Sequence, residues 1–135
     1  MTTRIAQDLI AHQVVSAERS RALATRLEYR TAEPYEVRLV FHADRRSPVT
    51  WIFARDLLVD GLSRPSGTGD VRIRPTLDGG RHLLSVLLVG EDDHALIELP
   101  SDEVGAFVLR TLRLVPKGEE VQRLDFDALA MHLPA

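Results

Sequence analysis

Five histidines are the side chains of this chain best suited to metal or acid–base chemistry: His12, His42, His82, His94 and His132. No two of them stand at helical ligand spacing, and no HExxH occurs, so the pattern that holds a zinc ion between two imidazoles is missing. His94 and Glu98 fall on one face of an expected strand, where an exposed polar stripe explains them as well as an acid–base pair does. The run Gly61-Leu62-Ser63-Arg64-Pro65 begins like a nucleophile elbow. It fails as one, because proline replaces the second glycine and a helix precedes it where a strand is needed. Gly67-Thr68-Gly69-Asp70 could gather backbone N–H groups around an anion, yet no lysine or helix follows, and the reading favoured is a tight turn. Arg72 and Arg74, two residues apart, project from one face of a strand while Val71 and Ile73 turn the other way. That arginine stripe could meet phosphates or the carboxylates of a protein partner, or it could be a solvated face paired with nearby acids. No catalytic, metal-binding or cofactor-binding residue is assigned, and Arg72 and Arg74 are the candidate partner contacts.

Composition narrows the setting. A chain of 135 residues fits one domain, 1–135, with enough buried surface for one real core. Apolar residues make up 44%, and only 5% are aromatic, so Leu, Val and Ile must build that core. The absence of cysteine excludes disulfides, thiolate metal sites and cysteine nucleophiles, and fits a reducing cytoplasm. No stretch approaches the roughly 18 apolar residues of a membrane span, so no direct membrane insertion is expected. The net charge of −3 hides an asymmetry: residues 1–90 carry 13 basic and 10 acidic side chains, whereas residues 91–135 carry 4 and 10. Neither part is basic enough for a strong nucleic-acid footprint.

The elements that position these residues follow from periodicity. Tyr35, Val37, Leu39 and Phe41 alternate with Glu36, Arg38, Val40 and His42, the pattern of a strand with one buried face. Residues 22–30 read as its hairpin partner, and residues 5–15 as a further strand whose two faces are equally apolar. Val49, Trp51 and Phe53 alternate in another strand, with Trp51 and Phe53 expected in the core. A short mid-chain helix follows over 54–60, with Leu57 and Leu58 on one side. Gly61 is expected to close it in a left-handed conformation, with Leu62 packing back. The turn around Gly67 and Gly69 leads into a strand beginning at Val71. Asp78-Gly79-Gly80 and residues 90–93 then close two hairpins, making an antiparallel meander over 70–99. Its middle strand, residues 83–89, is apolar on both faces. Ser101 is the expected N-cap of a helix that presents Val104, Phe107, Val108, Leu112 and Val115 on one face and ends before Gly118. A last short helix is expected over 125–133.

The block VTWIFARDLLVDGLSRPSGTGDVRIRP, residues 49–75, together with Tyr29-Arg30-Thr31-Ala32-Glu33-Pro34-Tyr35, closely resembles the SsgA-like family of actinomycete sporulation and cell-division proteins, and within it the SsgB branch most. The resemblance is strong over residues 27–75, and over 81–133 it is mainly one of pattern. It implies a Whirly-like α+β fold, antiparallel sheets packed across one another with helices toward the C-terminus. It also implies a non-enzymatic regulator of sporulation-specific septation that needs no cofactor and helps to localise the tubulin-like protein FtsZ at the division septum from the cytoplasmic side. Family members associate with one another, and the doubly apolar strand 83–89 suggests a homo-oligomer, with a closed ring of three as the first expectation. The alternative, a single-stranded nucleic-acid-binding module, rests on fold analogy. An acidic C-terminal third and few aromatics argue against it.

Overall fold

The computed structural model describes residues 2–123. Seven strands are formed: β1 (Arg4–Val14), β2 (Ser20–Arg30), β3 (Glu36–Phe41), β4 (Val49–Ala54), β5 (Val71–Asp78), β6 (Arg81–Val89) and β7 (His94–Pro100). Two α-helices accompany them, α1 (Arg55–Gly61) between β4 and β5, and α2 (Ser101–Leu114) after β7, with a 3-10 turn over Glu120–Arg123. The class is α+β, and every strand pair is antiparallel. Where packed sheets were expected, the strands join in one continuous sheet of order β4-β3-β2-β1-β7-β6-β5. The physical reason is β1, which pairs with β2 along its whole length and with β7 through His12↔Glu98 and Gln13↔Ile97. The sheet curls at this narrow seam, so that its two halves face each other across a common core.

That core answers the question the alternation of β1 left open. Ile5, Leu9 and Ala11 point inward and are buried, whereas Ala6, Ile10 and His12 face out. They meet Leu23, Leu27 and Tyr29 of β2, Val37, Leu39 and Phe41 of β3, and Phe53 of β4. From the other half come Val71, Ile73, Leu84, Val86, Leu88, Ile97 and Leu99, with Val104, Phe107 and Val108 of α2. Trp51 is only partly buried and packs at the margin of this cluster. Tyr35, expected inside, is 49% exposed, because β3 begins one residue later and Tyr35 belongs to the turn before it. Val40, on the outer face, is nonetheless buried.

Both helices start directly from a strand. Ala54 and Pro100 hold the extended N-cap conformation and no side chain caps either end. Ser101 is therefore the first helical residue of α2 and not its cap. Proline suits the preceding position, since its fixed φ ends β7 without requiring an amide donor. Asp102 and Glu103 lie in the first turn, beside the positive end of the helix dipole. Gln7 Nε2 donates to the Glu103 carbonyl at 3.0 Å, tying that turn to β1.

The glycines divide by cause. Gly79 and Gly80 have φ of +55° and +81°, the left-handed pair that a two-residue hairpin requires. Gly61 does not close α1 in a left-handed conformation: the helix runs through it, and its cap Leu62 is right-handed at φ −66°. A side chain is excluded there by close approach, since a Cβ at residue 61 would run into the Ile73 side chain of β5. Gly67 (φ +92°) and Gly118 (φ +93°) do take the left-handed conformation. Gly118 does so in the turn after α2, whose cap is Val115. Gly69 has open space around it and no positive φ, so the turn does not require glycine at that position. The expected helix over 125–133 lies outside the described residues, as does His132.

Candidate interaction surface

Arg72 and Arg74 lie on the outer face of β5, exposed as their alternation predicts. The register builds a surface around them. Arg72 stands opposite Leu87, which stands opposite Leu96, and Arg74 stands opposite Ser85, then Glu98, then His12. Directly opposed residues share a face, so two arginines flank an apolar step of Leu87 and Leu96 with a carboxylate farther along. A depression of about 260 Å³ lies here, lined among others by Pro65, Ser66, Arg72, Arg74, Ser85, Leu87 and Leu96. The loop before β5 folds over this edge: Ser66 and Ile73 exchange backbone hydrogen bonds of 2.8 Å in both directions. The Arg72 guanidinium also donates from Nε to the Gly69 carbonyl at 3.0 Å, which anchors the turn and sets the side chain's direction. Such a surface can receive a carboxylate or phosphate next to an apolar group.

The second face of β6, suspected of needing a partner, is covered in part. Leu84, Val86 and Leu88 enter the core, Ser85 is buried, and Leu83, Leu87 and Val89 remain partly exposed.

Among the described residues no group of three or more His, Asp or Glu side chains is placed to hold a metal ion. Ser63 donates its hydroxyl to the Asp60 carbonyl at 3.4 Å, an ordinary bond at the end of α1. His42 and His94 do share a cleft of about 340 Å³ between the two halves of the sheet, together with Leu23, Phe41, Trp51, Leu88 and Ile97. His42 has a left-handed backbone, φ +55°, at the point where the chain leaves β3.

One charged site escaped the sequence reading. Arg55, at the start of α1, is 1% exposed. Its Nη1 donates to the carbonyls of Thr111 (3.2 Å) and Val115 (2.7 Å) at the end of α2; the Thr111 carbonyl also accepts from the Val115 amide at 2.9 Å. Its Nη2 lies 3.3 Å from Glu120 Oε2, and its guanidinium carbon sits 5.1 Å from the centroid of the Tyr29 ring. Among the described residues, neither Nε nor Nη2 has a hydrogen-bond partner, so Nη2 meets Glu120 as an ion pair. The Tyr29 hydroxyl in turn donates to the Pro34 carbonyl at 2.9 Å. Hydrogen bonding from its own backbone amide holds the Glu120 carboxyl below its ordinary range against the opposing effect of burial, helped by the Gly118 amide and the Arg55 guanidinium. A signal for Arg55 was present: Trp51 is partly buried and Phe53 buried in alternation, and residue 55 continues that row. The site is a structural clamp that joins the end of β4 to the segment after α2.

Comparison with known proteins agrees with the fold and with these motifs. The family described as Streptomyces sporulation and cell division protein, SsgA, matches residues 23–120. The chain is 39% identical over 135 residues to the sporulation-specific cell division protein SsgB of Streptomyces coelicolor, an alignment that covers 100% of this chain and 98% of that protein. It is 40% identical over 112 residues to the SsgB of Thermobifida fusca, covering 82% of this chain and 81% of that protein. A solved structure from work on SsgB mutations that correlate with longitudinal cell division during sporulation of Streptomyces coelicolor superposes with a TM-score of 0.87 at 40% identity, covering 92% of this chain and 98% of that one. A crystal structure of an SsgA-like sporulation-specific cell division protein from Thermobifida fusca superposes with a TM-score of 0.86 at 36% identity, covering 97% and 96%. With a family match over residues 23–120 and a relative 39% identical aligned over the whole chain, this chain belongs to the SsgA family of sporulation and cell-division proteins.

Proposed function

We propose that this chain is a non-enzymatic regulator of sporulation-specific cell division that helps to localise FtsZ and the division machinery at septum sites. The observation that carries the reading is the full-length similarity to proteins named sporulation-specific cell division proteins, in sequence and in fold together. It is supported by a surface suited to a protein partner, the pair Arg72 and Arg74 beside Leu87 and Leu96. Among the described residues no helix is long and apolar enough to cross a membrane. Self-association belongs to the same reading, because repeated copies raise the avidity of an adaptor for its site.

The test is capture of purified FtsZ by the full chain at physiological salt, alongside fluorescence anisotropy with a labelled single-stranded oligonucleotide. Expected is FtsZ capture that drops when Arg72→Glu and Arg74→Glu are combined, with weak oligonucleotide binding. Submicromolar oligonucleotide binding abolished by the same double reversal, with no FtsZ captured under any nucleotide condition, overturns the adaptor in favour of nucleic-acid recognition.

A further inference from the structure

The two halves of the sheet part where β1 leaves β7. Those strands pair only at His12↔Glu98 and Gln13↔Ile97, so residues 94–96 of β7 are paired with β6 on one side and with no strand on the other. Past that point the cleft of about 340 Å³ opens between the halves. Its size falls at the lower end of small-molecule sites, about 300–1,000 Å³. Apolar side chains that a closed core would cover stay in reach of solvent here: Trp51 is only partly buried and Val49 is 48% exposed.

Apolar walls come from both halves, Phe41 and Trp51 from one and Leu88, Ala95 and Ile97 from the other. Polar residues share the lining with them: Gln13, His42, Asp93 and His94. Asp93 supplies the formal charge. Its Oδ1 accepts from the His94 amide at 2.8 Å, which holds the carboxylate in place and leaves Oδ2 without a partner among the described residues. His42 is, among the described residues, the one non-glycine with a left-handed backbone, φ +55°. Glycine would take that φ without strain, so the chain keeps an imidazole at the cleft against the local preference.

We propose that this cleft binds a small organic cation, a primary ammonium on an aryl or alkyl body. The apolar body fills the space between the halves. The ammonium gains from the aromatic rings of Trp51 and Phe41 and from the Asp93 carboxylate, while the imidazoles of His42 and His94 offer acceptor nitrogens. An anion of the same shape is opposed by Asp93, with Glu91 and Asp92 beside it in the same hairpin. Arg45 and Arg46, exposed in the loop after His42, do not line the cleft. The inference stands apart from the adaptor reading, whose surface is the outer face of β5.

Trp51 is the single tryptophan of the chain, so its emission reports on the cleft. The full chain is titrated with phenethylamine, phenethyl alcohol and phenylacetate, which share an aryl body and differ in charge. Expected is an emission change that saturates with a Kd on the order of 1 mM for phenethylamine, about tenfold weaker for the alcohol, and no saturable response to phenylacetate. Asp93→Asn, which can still accept from the His94 amide, should cut the preference for the amine over the alcohol about tenfold. His42→Gly should weaken phenethylamine about threefold or more while its thermal melt stays at or above the parent's, a split that a merely structural histidine would not give. Ala95→Phe fills the cleft and should abolish binding of amine and alcohol alike, with circular dichroism melts checking that each variant folds. Phenylacetate binding as tightly as phenethylamine overturns the proposal, as does an emission change untouched by both Asp93→Asn and Ala95→Phe, or none at all up to about 20 mM. Tighter binding of Nα-acetyl-lysine methylamide than of phenethylamine would assign the cleft to a lysine side chain of a protein and overturn the small-molecule occupant. FtsZ capture enters none of these readouts, so failure here leaves the adaptor standing.

Discussion

Arg55 and Glu120, 65 positions apart, meet as a buried ion pair, and the arginine that makes it also satisfies two carbonyls at the end of α2. Removing one partner of a buried pair strands the other charge in a low-dielectric interior, at a cost of about 3–5 kcal/mol. Arg55→Ala should lose that much stability in urea titration, and more than Glu120→Gln, because it also removes the Arg55 hydrogen bonds to the Thr111 and Val115 carbonyls. Arg55→Lys should recover only part of the loss, since one ammonium cannot reach both the carbonyls and the carboxylate as the planar fork does.

Glu120 makes stability depend on pH. Its carboxyl titrates below its ordinary range in the fold, so the folded state binds a proton less readily than the unfolded chain, where the value is about 4.3. The stabilisation is fully present above that value and is lost as pH falls from it through the folded value. Denaturation curves between pH 7 and pH 3 should show the parent losing more stability than Glu120→Gln across that window, the gap between them narrowing as the carboxylate is protonated.

Gly61→Ala should be destabilising through packing. The added methyl meets Ile73, and overfilling a close helix–strand contact costs about 1–3 kcal/mol. Ile73→Ala in the same chain removes the nearer obstructing carbon, Cγ2, and leaves Cβ, so the double variant should recover part of the clash and be more stable than the sum of the single losses predicts. Gly118→Ala should cost about 1 kcal/mol for its left-handed backbone, and Gly69→Ala should stay within about 0.5 kcal/mol of the parent. Thermal melts of these five variants, the Ile73→Ala single included, check all of this.

Arg72→Glu with Arg74→Glu should leave stability within about 0.5 kcal/mol of the parent, as for other exposed substitutions, while FtsZ capture falls. A melt that drops by several degrees would instead mark the pair as structural.

Local order was legible in the sequence wherever one interaction dominated. The alternation of Val37, Leu39 and Phe41, the Gly79-Gly80 hairpin and the apolar stripe of Val104, Phe107 and Val108 are each fixed by near neighbours. What stayed hidden depends on residues far along the chain. The inner face of β1 is chosen by its partners on both sides, since Ile5 and Ile10 are equally apolar. The reason for glycine at residue 61 lies at Ile73, and the partner that lets Arg55 be buried lies at Glu120. The surface around Arg72 and Arg74 was legible in part, because alternation places both side chains outward. Their apolar neighbours Leu87 and Leu96 emerge only from the register of β5, β6 and β7.

The narrow seam between β1 and β7 sets the order in which the chain can fold. Every other strand pairing joins consecutive strands, so β1 through β4 can zip as one run of hairpins and β5 through β7 as another, each closing short loops. Joining His12 to Glu98 spans most of the chain and waits until β7 has been made. Loop closure of that length is the slow, entropically costly contact, and only two residue pairs reward it directly. The seam therefore closes late, driven by the shared core more than by its own hydrogen bonds. Until then both halves expose the apolar faces that the finished protein hides, and that interval is when the nascent chain is most open to aggregation.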